Sequence, residues 1–141
     1  MTTRKLFLTF ALIGFVTMVG CSDKQQLTGT VTFSDDGSPL SSGVVYFSTP
    51  TFQAMGPIKP DGTYTVSSTG KDDGIPRGQT FAVTIIGADD VQTSRSPEGF
   101  TNERRTPLID PKYTQAETSG LTFTASGNMR TFDIKVDRPP R

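Results

Sequence analysis

The chain has 141 residues, fourteen Lys+Arg against fourteen Asp+Glu, a single cysteine, and neither histidine nor tryptophan. That length holds one domain, and a net charge of zero gives no field that would draw nucleic acid or an acidic membrane surface. Without histidine a Ser-His-Asp triad and imidazole ligation of zinc are excluded, and one cysteine cannot close an internal disulfide.

The first element is a leader. Arg4 and Lys5 precede the apolar run Leu6–Val19, and Gly20 supplies a small residue before Cys21. This is the layout of a secretory signal peptide over residues 1–20. The run is shorter than the ~20 apolar residues that a permanent spanning helix needs. Removing residues 1–20 takes away two cations and leaves twelve against fourteen, a net charge of −2. An ordinary cleaved leader, with Cys21 incidental to the cut, fits the same layout. Val19-Gly20-Cys21 behind such a run resembles the lipobox of bacterial lipoproteins, although Met18 stands where that family most often has Leu. The resemblance implies cleavage between Gly20 and Cys21 and a lipid on the Cys21 thiol. The membrane would then be the partner, reached through acyl chains whose buried methylenes contribute about 0.8 kcal/mol each. Ser22 in place of Asp implies, in enteric-type bacteria, an outer-membrane location facing the periplasm or the surface. Residues 22–26 read as a short polar linker.

From Leu27 the pattern has period two. Leu27, Val31 and Phe33 alternate with Thr28, Thr30 and Thr32; GVVYFS (43–48) follows as a more fully apolar strand. Phe52, Ala54 and Ile58 share a parity in a third, where Gly56-Pro57 argues for an edge or a bulge. Tyr64 and Val66 alternate with Thr63, Thr65 and Ser67, and Phe81, Val83 and Ile85 mark a fifth strand. Leu121 and Phe123 mark a sixth, and Phe132, Ile134 and Val136 a seventh. The joints Asp35-Asp36-Gly37, Lys59-Pro60-Asp61-Gly62 and Ser126-Gly127-Asn128 are turn sequences, the last closing a final hairpin. No segment keeps a 3.6-residue apolar period, so little or no helix is expected. The spacing predicts an all-β, seven-stranded antiparallel β-sandwich over residues 27–137, with one wet face per sheet and a tail at 138–141.

Residues 87–120 break the rhythm and predict one long loop, a length that is usually functional or disordered. Within it Arg104, Arg105, Lys112 and Tyr113 are candidate contacts for a protein or a polysaccharide of the envelope. Tyr113 serves equally as a pin that holds the loop to the sandwich. The acidic pairs Asp35-Asp36, Asp72-Asp73 and Asp89-Asp90 lack the spacing of a calcium loop and read as solvated turns. Neither a metal nor another cofactor is expected.

Four segments in order, LTGTVTFSDDGSPLSSGVVYF, KPDGTYTVSS, GIPRGQTFAVTI and DPKYTQAETSGLTFTA, resemble the transthyretin-like, carboxypeptidase-regulatory-like domains of small bacterial lipoproteins. The likeness covers roughly residues 27–136. It implies a Greek-key sandwich acting as an accessory, structural or binding module with no catalytic residues. Hydrolases on transthyretin-like folds depend on histidines that this chain lacks, so that activity is not implied. A glycan- or protein-binding module working through 87–120 is the alternative.

Overall fold

The computed structural model describes residues 24–68 and 73–140. In chain order the strands are β1 (Lys24–Gln25), β2 (Thr28–Phe33), β3 (Val44–Thr49), β4 (Phe52–Pro57), β5 (Thr63–Thr65), β6 (Ile75–Pro76), β7 (Thr80–Ile86), β8 (Asp89–Arg95), β9 (Thr101–Pro107), β10 (Leu121–Thr124) and β11 (Ile134–Val136). A 3₁₀ turn, Pro111–Thr114, and one helical turn, α1 (Ala116–Ser119), precede β10. None of these described helices is long and apolar enough to cross a membrane.

The seven strands legible by alternation build two sheets, a four-stranded one in the order β10-β7-β3-β4 and a three-stranded one in the order β11-β2-β5. Period two explains why each sheet has one dry face. In β2, buried Gly29, Val31 and Phe33 alternate with half-exposed Thr28, Thr30 and Thr32, and β7 buries Phe81, Val83 and Ile85 completely. Tyr64 on β5 and Phe47 on β3 face each other at 6.2 Å between ring centroids. Phe47 also meets Phe123 edge-on at 6.0 Å, so aromatic rings from both sheets and from the crossover to β11 meet in one core. The chain is all-β and sandwich-like, and β4 is an edge strand as Gly56-Pro57 suggested.

Four expectations are corrected. Residues 22–26 are not all linker: Lys24 and Gln25 pair with Pro76 and Ile75, and Gln25, 3% exposed, donates its amide to the Met129 carbonyl at 2.9 Å. Segment 87–120 is not a loop, since it holds the β8–β9 hairpin and both short helical turns. The Ser126–Asn128 turn closes no hairpin; it starts a crossover from β10 in one sheet to β11 in the other, where β11 runs parallel to β2. The strands therefore number eleven among the described residues, and one pairing is parallel rather than antiparallel.

The crossover forces a close approach. A Cβ on Gly29 would lie 1.9 Å from the Phe132 carbonyl oxygen and 2.8 Å from the Tyr64 hydroxyl. That hydroxyl donates to the same carbonyl at 2.5 Å, tying β5 to the segment that leads into β11. Gly29→Ala is expected to cost about 3 kcal/mol because the backbone must move to admit a methyl. Tyr64→Phe removes only the hydrogen bond and should cost about 1–2 kcal/mol. Urea midpoints at constant m-value check both, and an unchanged midpoint for Gly29→Ala would refute the packing argument.

Candidate functional site

Two polar regions remain outside the core: the β8–β9 hairpin and a charged cluster around the C-terminal segment. The hairpin forms because its chemistry suits a wet ribbon. Seven pairs run from Asp89↔Pro107 to Arg95↔Thr101. Ser96-Pro97-Glu98-Gly99 turns the chain, with a 3.0 Å bond from the Gly99 amide to the Ser96 carbonyl and 2.9 Å from the Ser96 amide to the Phe100 carbonyl. Pro97 presets its φ, and Gly99 at φ +89° takes the left-handed position of a three-residue hairpin loop. Thirteen of the fourteen strand residues are exposed, and Phe100 at the tip is 68% exposed. At the base a recess of about 90 Å³ is lined by Ile85, Ala88, Pro107, Ile109, Pro111 and Thr114 among others.

Arg104 and Arg105 stand on β9, and alternation sends them to opposite faces, across from Gln92 and Val91. Arg105 reaches Glu103 at 3.5 Å; both ends are solvated, so the pair contributes little. Lys112 and Tyr113 lie on the 3₁₀ turn instead. Tyr113 is 5% exposed, so it is the pin and not an exposed contact aromatic. Its hydroxyl donates to Asp137 at 2.9 Å, and Lys112 sits 2.7 Å from the same carboxylate and 4.9 Å over the Tyr113 ring. The four candidate contact residues thus divide between two elements. Gly20 and Cys21 lie outside the described residues.

The tail expected at 138–141 carries residues that the sequence did not mark. Arg138 donates to Asp35 and to Asp36 at 2.9 Å each, and to Ser38 at 3.3 Å, with its guanidinium 3.8 Å over the Phe33 ring. Asp137 accepts from Lys112, Tyr113 and Ser34, while its carbonyl accepts the Asp110 amide at 2.9 Å. The segment after β11 therefore bolts the Asp35–Gly37 turn to the 3₁₀ turn. The Lys112 ammonium, then the Ser34 and Tyr113 hydroxyls, hold the Asp137 carboxyl well below the usual range. The Ser38 hydroxyl and amide, then Arg138, lower Asp36 to about 2. Burial raises the Tyr113 phenol, and the Asp137 carboxylate raises the Lys112 ammonium. The carboxylates, the ammonium and the guanidinium of this cluster are paired with one another, and the neutral Tyr113 hydroxyl is bonded to Asp137.

Asp35-Asp36 is consumed by Arg138, and Asp73 faces Lys24 at 2.7 Å. Asp72 lies outside the described residues, and Asp89-Asp90 opens β8. Among the described residues no three acidic, histidine or cysteine side chains converge as metal ligands would.

The fold and these sites define an all-β sandwich with a charge-latched C-terminal segment and a projecting two-stranded arm. No family model matches the chain, and no curated protein does. Among solved structures, a 9R-lipoxygenase from Cyanothece PCC8801 is similar over 81% of this chain and 16% of its own, at 13% identity and a TM-score of 0.36. That likeness is too remote to bear on function.

A depressed carboxyl pKa stabilises the fold above the unfolded value and loses that contribution as pH falls through the folded one. For Asp36 the window runs from 3.8 down to about 2, and Asp137 loses its share over the same acid limb and below it. The urea midpoint should therefore fall as pH drops from 5 to 2. The double variant Asp36→Asn/Asp137→Asn should start lower and show a flatter limb; an equally steep limb would refute the latch.

Proposed function

We propose that this protein is a non-enzymatic lipoprotein of a bacterial cell envelope. It is held to a membrane by lipid on Cys21 and works as a structural or accessory module. The sandwich is read as transthyretin-like, and the β8–β9 arm is its contact element.

The observation that carries the contact role is the arm itself: a seven-pair hairpin on a rigid body with thirteen of fourteen residues in water. A lone two-stranded ribbon gains little from burial, and an arm of this kind suits contact with something outside the chain. The absence of histidine in the sequence and the mutual neutralisation of the Asp137–Arg138 cluster favour a binding role over catalysis.

The anchor rests on Val19-Gly20-Cys21 behind the apolar run. Pairing of Lys24 with Pro76 shortens the tether to the residues between Cys21 and Lys24. The three Cα–Cα steps from Cys21 to Lys24 span at most about 11 Å, so the sandwich would ride close to the headgroups instead of on a long leash. Partners of protein or polysaccharide nature would then be met at the membrane surface.

Cys21→Ala should move the protein from the membrane pellet to the soluble fraction. Intact mass of the wild type should exceed that of residues 21–141 by a diacylglycerol or more. An unmodified polypeptide mass for the wild type, or a Cys21→Ala variant that stays in the pellet with residues 1–20 removed, would overturn the anchor.

A further inference from the structure

Among the described residues the outer edge of β8 carries no backbone bond from Val91 to Arg95, and the strand is self-complementary. Bonds at the two ends of the hairpin, Leu108 amide to Ala88 carbonyl at 2.8 Å and Ser96 amide to Phe100 carbonyl at 2.9 Å, set the phase of its ladder. Antiparallel pairs alternate between bonded and non-bonded. Asp90, Gln92 and Ser94 therefore turn their backbone groups toward β9, while Asp89, Val91, Thr93 and Arg95 turn theirs outward. The Asp89 carbonyl accepts the Ser42 hydroxyl at 3.4 Å on that outer side, as this phase requires. An exposed row of amides and carbonyls is a template for another strand.

Charge decides which strand. When β8 is read against itself in reverse with Gln92 opposite Gln92, Val91 meets Thr93, Asp90 meets Ser94 and Asp89 meets Arg95. The outward-facing residues pair with one another, the bonded positions coincide, and both ends close on opposite charges. Among the described residues neither Asp89 nor Arg95 has an ion-pair partner. The β9 edge is a poorer candidate. The register that sets Glu103 against Arg105 also sets Arg104 against Arg104, and Glu103 already faces Arg105 of its own strand.

We infer that two copies of this chain associate antiparallel through β8, with Gln92 on the two-fold axis, forming a continuous β9-β8-β8-β9 sheet. The pairing carries the tip of each arm, with Phe100 exposed, to the base of the other, the end where the apolar recess opens. The inference rests on the arm being the contact element and names its partner as a second copy.

The test is cysteine crosslinking of the full processed protein in membranes. A non-bonded antiparallel pair has its Cα atoms about 4.5 Å apart, within disulfide range. Gln92→Cys should give a covalent dimer under mild oxidation, whereas Asp90→Cys, which would face Ser94, should not. In the Gln92→Cys background, Arg95→Asp should lower the crosslinked fraction about tenfold, and adding Asp89→Arg should restore it. Gln92→Cys that crosslinks no better than Asp90→Cys overturns the inference. If the arm then still resists protease in cells while the purified protein is cut, another molecule covers it and only the choice of partner has failed. If the arm is cut equally in both settings, its contact role fails as well.

Discussion

The sandwich depends on nothing standing on the Cα of residue 29. The crossing segment can lie against β2 only because the Phe132 carbonyl and the Tyr64 hydroxyl share the space that a side chain would fill. From that approach the rest follows. β11 comes down parallel to β2 with Ile134, Lys135 and Val136 opposite Val31, Thr32 and Phe33. The Phe132 ring is brought to 4.9 Å from Phe123 and 6.2 Å from Phe47, both of the four-stranded sheet. One backbone contact thus sets the order of one sheet and supplies the aromatic seam that joins it to the other.

The same crossing decides where the chain's charges are used. Once β11 lies beside β2, Asp137 and Arg138 emerge next to the turn that follows β2, and the turn's two carboxylates find a guanidinium in reach. Lys112 and Tyr113 approach Asp137 from the other side. Exposed pairs of this sort contribute little singly. In a network, with the guanidinium stacked on Phe33, they fix a segment that would otherwise fray. Among the described residues, Asp89 at the base of the arm and Arg95 near its tip are left without an ionic partner.

Legibility from sequence followed burial. Val31, Phe81, Val83 and Ile85 announce their strands because each lies on the dry side of a sheet whose other side is wet. β8 and β9 carry no such signature, since both faces of the ribbon meet water and Val91 is 46% exposed. Hydrophobic alternation cannot appear where neither face is dry. The signal that would have found them is local: Ser96-Pro97-Glu98-Gly99 is turn chemistry between two Thr-containing runs. β1 was hidden for another reason, since two residues are too few for any period and their partner is distant in sequence. Tyr113 illustrates a third limit. A Tyr beside a Lys reads equally as contact or anchor until the 25-residue separation from Lys112 to Asp137 is closed. The Ser126–Asn128 turn was correctly placed, but its role depends on which sheet receives the next strand, and turn chemistry does not carry that information.

A projecting ribbon raises the question of how it avoids indiscriminate pairing. Edge strands aggregate because their unpaired amides and carbonyls accept any strand, and where both faces are wet the side chains specify register only weakly unless charges do so. In β8 the charges lie at the two ends, Asp89-Asp90 and Arg95, with Val91 to Ser94 between them. A two-fold partner can slip only in steps of two residues if the backbone bonds are to be kept. Either slip moves Asp89 off Arg95, setting it against Thr93 in one direction and Pro97 in the other, where no amide exists to donate. Both ion pairs are lost together, and each end then holds a desolvating charge without its opposite. The sequence of the edge therefore discriminates among registers, as a specific contact requires and a merely solvated hairpin does not.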